Sequence, residues 1–202
     1  EQSSRRSFIR NVGMAVGASA LAPALASFEP PQKNRLGIAL VGLGSYAGGQ
    51  LAPALQQTKD CYLAGIVTGT PAKEKEWSQR YNIPQKNIYN YNTFDSIASN
   101  PDIDIVYVVL PIFMHKEFTI RAAKAGKHVI CEKPMAMNAN ECREMIDACK
   151  KAKRMLSIGY RLHFEPYNQE MMRLGQKKVY GKVNKVDGSN GFVYGGDQNA
   201  WR

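Results

Sequence analysis

Five short apolar runs recur along residues 35–160, and a segment with helical periodicity follows each of the first four. The runs are continuous rather than alternating, which is typical of strands buried on both faces of a sheet. They occupy residues 36–41, 61–67, 104–110, 127–131 and 155–159. The helical segments occupy residues 47–57, 71–81, 114–125 and 138–152. Because strands that alternate with helices over short connections pair in parallel, the pattern predicts an α/β fold with a doubly wound parallel sheet.

The first strand-to-helix connection is glycine-rich. It reads G-L-G-S-Y-A from Gly42 to Ala47. Such a motif is weak evidence alone, since glycines are common in tight turns. Here it follows the first strand and opens the first helix, where backbone amides can hold a pyrophosphate. The sequence therefore predicts a dinucleotide-binding Rossmann domain over residues 35–160.

The second strand ends without an acidic residue. NAD-binding domains place Asp or Glu at this point, because a carboxylate accepts hydrogen bonds from the ribose and repels a 2′-phosphate. This chain instead has T-G-T-P-A-K over residues 68–73. The Thr68 hydroxyl can donate a hydrogen bond and Lys73 can supply positive charge to a 2′-phosphate. NADP is therefore the favoured cofactor, and NAD is the alternative. The other interpretation of Lys73 is a solvated helix residue.

Two further strand ends carry candidate site residues. V-V-L-P-I-F-M-H ends at His115, which either reaches the site or caps the next helix. C-E-K-P, residues 131–134, places Lys133 at the same carboxyl edge. A cation there can bind a substrate hydroxyl and stabilise developing alkoxide charge, which makes Lys133 the candidate catalytic residue; the alternative is a lysine that merely caps the strand. Pro134 is a candidate for a cis peptide bond.

Composition and charge exclude several classes of protein. The chain has 202 residues, 44% of them hydrophobic and 22% charged, as in globular proteins. Its formal net charge of +10 is spread among acidic residues without a basic stripe and interleaved aromatics, so no nucleic-acid partner is expected. The four cysteines form no C-x-x-C pair, which argues against a metal site or disulfides and favours small core residues.

The N-terminus has the pattern of an export signal. S-R-R-S-F-I-R is followed by a short apolar stretch rich in Ala and Gly, which ends in A-L-A at residues 24–26. Residues 1–26 therefore resemble a twin-arginine signal peptide, and the stretch is too weakly apolar to be a stable membrane anchor. An amphipathic helix is the alternative. We expect export of the folded protein through the twin-arginine machinery to the periplasm, with residues 27–34 as a linker.

Six motifs together resemble the Gfo/Idh/MocA oxidoreductase family, and in particular its glucose–fructose oxidoreductase branch. They are G-L-G-S-Y-A, T-G-T-P-A-K, I-Y-N-Y-N-T-F at 88–94, A-G-K-H-V-I-C-E-K-P at 125–134, I-G-Y-R at 158–161 and W-R at 201–202. The resemblance covers residues 35–202. It implies a Rossmann domain followed by an α/β domain for substrate binding and oligomerisation, which residues 161–202 would begin. Substrates in this family are mainly sugars and polyols.

The resemblance also implies roles for individual residues. Those assigned to the pyrophosphate and the 2′-phosphate are Gly42, Gly44, Ser45, Tyr46, Thr68 and Lys73. Those assigned to the walls of the cofactor site are Tyr91, Leu110, Pro111 and His115. Those assigned to the nicotinamide end, or to a segment that closes over the cofactor, are Glu132, Lys133, Arg161, Trp201 and Arg202. Lys133 is the one catalytic assignment, and no metal is implied.

Further acid–base residues of the family lie beyond the W-R motif. The resemblance therefore implies that the chain is a fragment of a longer, homo-oligomeric protein, or a truncated product without activity. Residues 161–202 are expected to contain a helix at 164–174 and a strand at 181–187, too little to bury a core alone.

Three functions stay open at this point. The first is an exported NADP-dependent sugar or polyol oxidoreductase, with a tightly bound cofactor and sugar–sugar disproportionation. The second is a redox-neutral glycosidase that uses bound NAD, and the third is a non-catalytic dinucleotide-binding module.

Overall fold

A six-stranded parallel sheet forms the centre of the molecule. The structure, a computed structural model, describes residues 34–189 and residue 191. The strands lie in the order β3-β2-β1-β4-β5-β6, and every neighbouring pair is parallel. They are β1 Leu36–Val41, β2 Cys61–Val67, β3 Ile88–Tyr89, β4 Ile105–Val108, β5 His128–Cys131 and β6 Leu156–Ile158. The predicted leader at 1–26 and nearly all of the linker lie outside the described residues.

Helices connect the strands. The α-helices are α1 Ala52–Leu55, α2 Pro71–Tyr81, α3 Ile112–Lys124, α4 Ala139–Lys151 and α5 Pro166–Gln176. A π-helical segment, Ala47–Leu51, runs into α1, so the first helix is wound more loosely next to the glycine-rich loop. Short 3₁₀-helical segments occupy Gln85–Asn87, Phe94–Ser99 and Arg161–Phe164.

Both faces of the sheet are buried. Along β1, Ile38 and Leu40 belong to one cluster of buried apolar residues, whereas Ala39 and Val41 belong to a second cluster. Successive residues of a strand point to opposite faces, so the two clusters lie on the two sides of the sheet. The continuous apolar runs in the sequence follow directly from this arrangement.

Helix α4 starts where its sequence predicts. The Asn138 side chain accepts a hydrogen bond of 3.0 Å from the Glu141 amide. The Glu141 carboxylate in turn accepts a bond of 3.1 Å from the Met137 amide. This reciprocal cap satisfies one backbone donor of the first helical turn, the Glu141 amide, and one of the residue before the N-cap, the Met137 amide.

The predicted fold class, a doubly wound parallel-sheet Rossmann domain, is confirmed, and two elements differ from expectation. Strand β3 has only two residues and carries no periodic signal. The strand expected at 181–187 is not formed, because this segment finds no neighbouring strand within the described chain and Val183 and Val186 stay exposed. Among the described residues, no helix has the length and apolar character needed to cross a membrane.

Candidate functional site

Four loops at the carboxyl edge of the sheet surround a cavity of about 810 Å³. They follow β1, β4, β5 and β6. The lining residues are Gly44, Ser45, Tyr46, Ala47, Val109, Leu110, Pro111, Glu132, Lys133, Gly159, Tyr160, Arg161 and Leu162. Strand order reverses between β1 and β4, and in open α/β sheets the crevice at this switch point is where ligands bind.

The glycine-rich loop is built around two glycines with different tasks. Gly42 has φ +94°, and a Cβ there would lie 2.6 Å from the Val109 carbonyl oxygen, so another residue would be strained and would clash. A Cβ on Gly44 would meet no protein atom within 4 Å. The backbone at Gly44 therefore faces open space, where a pyrophosphate could approach the loop closely.

Glu132 is held in the cavity wall by three neighbours. It is only 8% exposed. Its Oε1 accepts a 2.7 Å hydrogen bond from the Tyr107 hydroxyl, and its Oε2 accepts a 3.1 Å bond from the Lys133 amide. A Cβ on Gly159 would lie 2.6 Å from Oε1, so a larger residue at position 159 would have to displace this carboxylate. Burial and the bond to Glu132 raise the pKa of Tyr107, which keeps its hydroxyl a donor.

Lys133 is exposed and lines the same cavity. Within residues 34–189, its ammonium has no hydrogen-bond or ion-pair partner. The Lys133–Pro134 peptide bond is cis, as the sequence suggested. The ammonium is thus available to a molecule in the cavity.

Tyr46 and Arg161 complete the polar part of the cavity. The pKa of Tyr46 is raised by burial and by the nearby negative charge of Glu132, and the positive charge of Arg161 opposes this shift. These interactions bring the glycine-rich loop and the loops after β5 and β6 into one electrostatic environment.

The predicted 2′-phosphate residues lie at the end of β2, outside the lining of this cavity. Thr68 is 3% exposed, and its hydroxyl accepts a 3.2 Å bond from the Thr70 amide. Lys73 donates a 2.8 Å bond to the Leu43 carbonyl, which places its ammonium between α2 and the glycine-rich loop. Lys73 is therefore positioned to supply charge there, and the Thr68 hydroxyl, which accepts a bond within its own turn, keeps its hydrogen to donate.

Tyr91 supports that turn. A Cβ on Gly69 would lie 3.0 Å from the Tyr91 ring, and the ring packs edge-on against Phe118 with 5.4 Å between centroids. Burial raises the pKa of Tyr91, and a backbone hydrogen bond at Gly69 lowers it. Tyr91 thus contacts the segment at the end of β2 rather than the cavity that Lys133 lines.

His115 lies behind the cavity wall. It is 1% exposed and does not line the cavity. Both ring nitrogens are engaged, Nε2 at 2.7 Å from the Leu110 carbonyl oxygen and Nδ1 at 2.9 Å from that of Pro134. The expectation that His115 contacts the cofactor is therefore corrected by this geometry, because the ring has neither an open face nor a free nitrogen.

The structure thus places eight of the predicted residues in one cavity. They are Gly44, Ser45, Tyr46, Leu110, Pro111, Glu132, Lys133 and Arg161. Gly42 shapes the loop beneath them. Trp201 and Arg202 lie outside the described residues.

Other residues of the site were missed by sequence reasoning. Tyr107 lies inside an apolar run and gives no separate signal. Gly159 stands in the I-G-Y-R motif, so its need to be glycine could have been suspected. In the described part of the chain, no group of three or more His, Cys, Asp or Glu residues could hold a metal ion.

A parallel doubly wound sheet with a glycine-rich first loop and an open crevice at its switch point defines a dinucleotide-binding Rossmann domain. Residues 36–160 match the Gfo/Idh/MocA group, described as an oxidoreductase family with an NAD-binding Rossmann fold. The chain belongs to this family, which confirms the resemblance read from its motifs.

Several relatives are similar over this part of the chain. A solved aldose–aldose oxidoreductase from Caulobacter crescentus, complexed with glycerol, is 48% identical with a TM-score of 0.71, over 72% of this chain and 43% of that one. A trans-1,2-dihydrobenzene-1,2-diol dehydrogenase of Xenopus laevis is 33% identical over 63% of this chain and 37% of the relative. An inositol 2-dehydrogenase/D-chiro-inositol 3-dehydrogenase of Lactiplantibacillus plantarum is 25% identical over 74% and 42%. The chain thus spans less than half the length of each.

Proposed function

We propose that the protein is an NADP-dependent oxidoreductase that transfers hydride between a tightly bound nicotinamide cofactor and a sugar or polyol. The observation that carries the proposal is the one cavity that brings together the glycine-rich loop, Glu132 and the Lys133 ammonium, which has no partner among residues 34–189. NADP, when bound, supplies or accepts the hydride. The open backbone at Gly44 fits a pyrophosphate, and the Leu110–Pro111 loop provides an apolar wall.

Lys133 has the chemistry that the reaction needs from the protein. Its ammonium donates a hydrogen bond to the substrate oxygen and stabilises the alkoxide charge that this oxygen carries before the carbon gives up its hydride. The hydroxyl proton passes to one of the further acid–base residues that the family has beyond the W-R motif. Glu132, fixed by Tyr107 and Gly159, keeps the neighbouring backbone in place through its bond to the Lys133 amide. Lys133 therefore acts as the catalytic residue in this proposal.

The choice of NADP rests on the end of β2. No carboxylate occurs in residues 68–73 to accept ribose hydroxyls or to repel a 2′-phosphate. The Lys73 ammonium, held 2.8 Å from the Leu43 carbonyl, lies between this segment and the glycine-rich loop. Lys73→Ala is expected to weaken NADP binding about tenfold and to leave NAD binding unchanged, because only NADP carries the phosphate. Lys75→Ala on the same helix, an exposed change, is the matched control.

A sugar substrate is supported by the relatives. The aldose–aldose oxidoreductase named above, which is 48% identical to this chain, has a name that gives sugars as both of its substrates. We extend this to the present chain as disproportionation, in which one sugar is oxidised and a second is reduced in the same site. Such a cycle needs no exchange of cofactor.

Export of a folded protein is consistent with a tightly bound cofactor, because the cofactor can be inserted before export. The twin-arginine pattern in residues 1–26 would send an already folded protein, loaded in the cytoplasm, to the periplasm. The twin-arginine machinery is the expected partner of the leader, and homo-oligomerisation is proposed for the assembled enzyme. Fractionation of cells that express the full gene tests this, and replacement of Arg5 and Arg6 by Lys should retain the protein in the cytoplasm.

The deciding experiment identifies the nucleotide. The exported product of the full gene is purified, denatured, and its released nucleotide is identified by mass. NADP in near one-to-one amount supports the proposal and leads to a panel of aldoses and polyols. NAD with product formation but no net oxidation supports the glycosidase, and bound nucleotide without turnover supports a non-catalytic module.

Lys133→Met tests the catalytic assignment. The change should lower kcat about 100-fold or more, because the stabilising donor is lost in the transition state. The Tm should hold, because the side chain is exposed. Lys151→Met, an exposed change at the end of α4, is the control that should retain full activity. Equal kcat for both variants would remove Lys133 from the mechanism.

A further inference from the structure

His115 joins two loops that meet at the cavity. It lies in the first turn and a half of α3, and its ring is fully enclosed by protein. Nε2 is 2.7 Å from the carbonyl oxygen of Leu110, which follows β4. Nδ1 is 2.9 Å from the carbonyl oxygen of Pro134, which follows β5. One side chain therefore spans the gap between the two loops.

Each of these loops supplies cavity residues next to the bonded carbonyl. Leu110 itself lines the cavity, as does its neighbour Pro111, and Lys133 immediately precedes Pro134. The strands alone do not set this spacing. The backbone pairing of β4 with β5 ends at Val108 and Cys131, apart from one bond of 2.9 Å from the Glu132 amide to the Val108 carbonyl. Beyond that bond, the His115 ring is the side chain that contacts the carbonyls of both loops, among the residues that the structure describes.

The ring is suited to this task because it carries two nitrogens on opposite sides. Both partners are carbonyl oxygens, which only accept hydrogen bonds. An imidazolium donates to both at once, and a neutral ring donates to one.

We infer that His115 is a positioning residue: as an imidazolium it donates to the Leu110 and Pro134 carbonyls together and thereby sets the width of the nicotinamide end of the cavity and the place of Lys133. The inference rests on the proposed function, since it assumes that this end of the cavity holds the nicotinamide. It gives His115 a role without contact to the cofactor.

Two variants separate the two bonds. Asn at position 115 keeps a donor near the place of Nδ1 and loses the bond to Leu110, whereas Gln keeps one near the place of Nε2 and loses the bond to Pro134. Binding is measured with NADP, which spans the whole site, and with adenosine 2′,5′-bisphosphate, which occupies only the adenosine end. Ile103→Val, a buried change before β4 at the opposite edge of the sheet, is the control for general loss of stability.

His115→Asn and His115→Gln should each bind NADP about 3- to 10-fold more weakly, the range for one lost hydrogen bond. Both should bind adenosine 2′,5′-bisphosphate within twofold of the unmodified protein. Hydrogen exchange should rise in residues 109–111 and 132–135 and stay unchanged in residues 42–46. Ile103→Val should lower the Tm and change neither affinity.

Other outcomes overturn the inference in distinguishable ways. Unchanged NADP affinity in both variants, an equal loss for both ligands, or unfolding of both variants would make His115 a residue of general stability. Failure of the unmodified protein to bind NADP would instead overturn the proposed function itself.

Discussion

The hydroxyl of Tyr107 is the contact whose removal gives the sharpest test of the site. It donates a 2.7 Å hydrogen bond to Glu132, a carboxylate with 8% exposure. Tyr107→Phe deletes this donor and little volume, and it leaves the carboxylate with the Lys133 amide. A hydrogen bond to a buried charge contributes about 1.5–3 kcal/mol. For a domain of this size, that loss lowers the Tm by roughly 3–12 °C.

The assay is thermal unfolding followed by circular dichroism, at pH 7 and again across the alkaline range. Tyr62→Phe is the matched control, because the Tyr62 hydroxyl makes only a 3.5 Å contact to the Asp102 carbonyl. A Tm change for Tyr107→Phe of less than 1 °C, or one equal to the control, would refute the argument that this bond holds Glu132.

The pH dependence gives a second check on Tyr107. Its pKa in the folded protein is raised above the ordinary value of 10.0 by burial and by Glu132. The unfolded chain therefore loses the phenolic proton first as the pH rises. The stability that the hydroxyl contributes is fully present below about pH 10 and declines above it. Unmodified protein should thus lose its advantage over Tyr107→Phe as the pH rises above about 10, and an advantage that stays constant through the alkaline range would contradict this assignment.

Two further predictions concern the same edge of the sheet. Gly159→Ala should cost about 1–3 kcal/mol of stability and weaken NADP binding, since the new Cβ would lie 2.6 Å from Glu132 Oε1; chemical denaturation measures the first effect, and an unchanged midpoint would show that Glu132 moves freely. Burial raises the pKa of the Cys131 thiol to about 12, so iodoacetamide at pH 8 should modify the more accessible Cys142 first. Peptide mapping measures the order, and early modification of Cys131 would contradict its burial.

Local patterns in the sequence predicted most of the helices and strands of the fold. Continuous apolar runs required a sheet covered on both faces, and β1 and β2 begin and end where their runs do. The helical periodicity of residues 138–152 matches α4 to within one residue at each end. The sequence did not predict strand β3, because two residues are too few for any periodicity. Residues 181–187 formed no strand, because a strand needs a neighbouring strand to pair with.

The residues of the site also include some that the sequence predicted and some that it did not. Motif spacing and the end of each run pointed to Gly42, Gly44 and Lys133, because the carboxyl ends of parallel strands share one edge. Sequence could not show that Tyr107, hidden in an apolar run, donates to Glu132. It also could not tell whether His115 faces the cavity or the protein interior.

The sequence by itself therefore determined the class of fold, the edge of the sheet that carries the cavity and the candidate lysine, since each depends on local periodicity or on residues a few positions apart. Tertiary structure alone decided which side chains hold the lysine in place. His115 reaches Pro134, nineteen positions away, and Tyr107 reaches Glu132, twenty-five positions away. Such contacts depend on how neighbouring strands align, and no local pattern encodes that register.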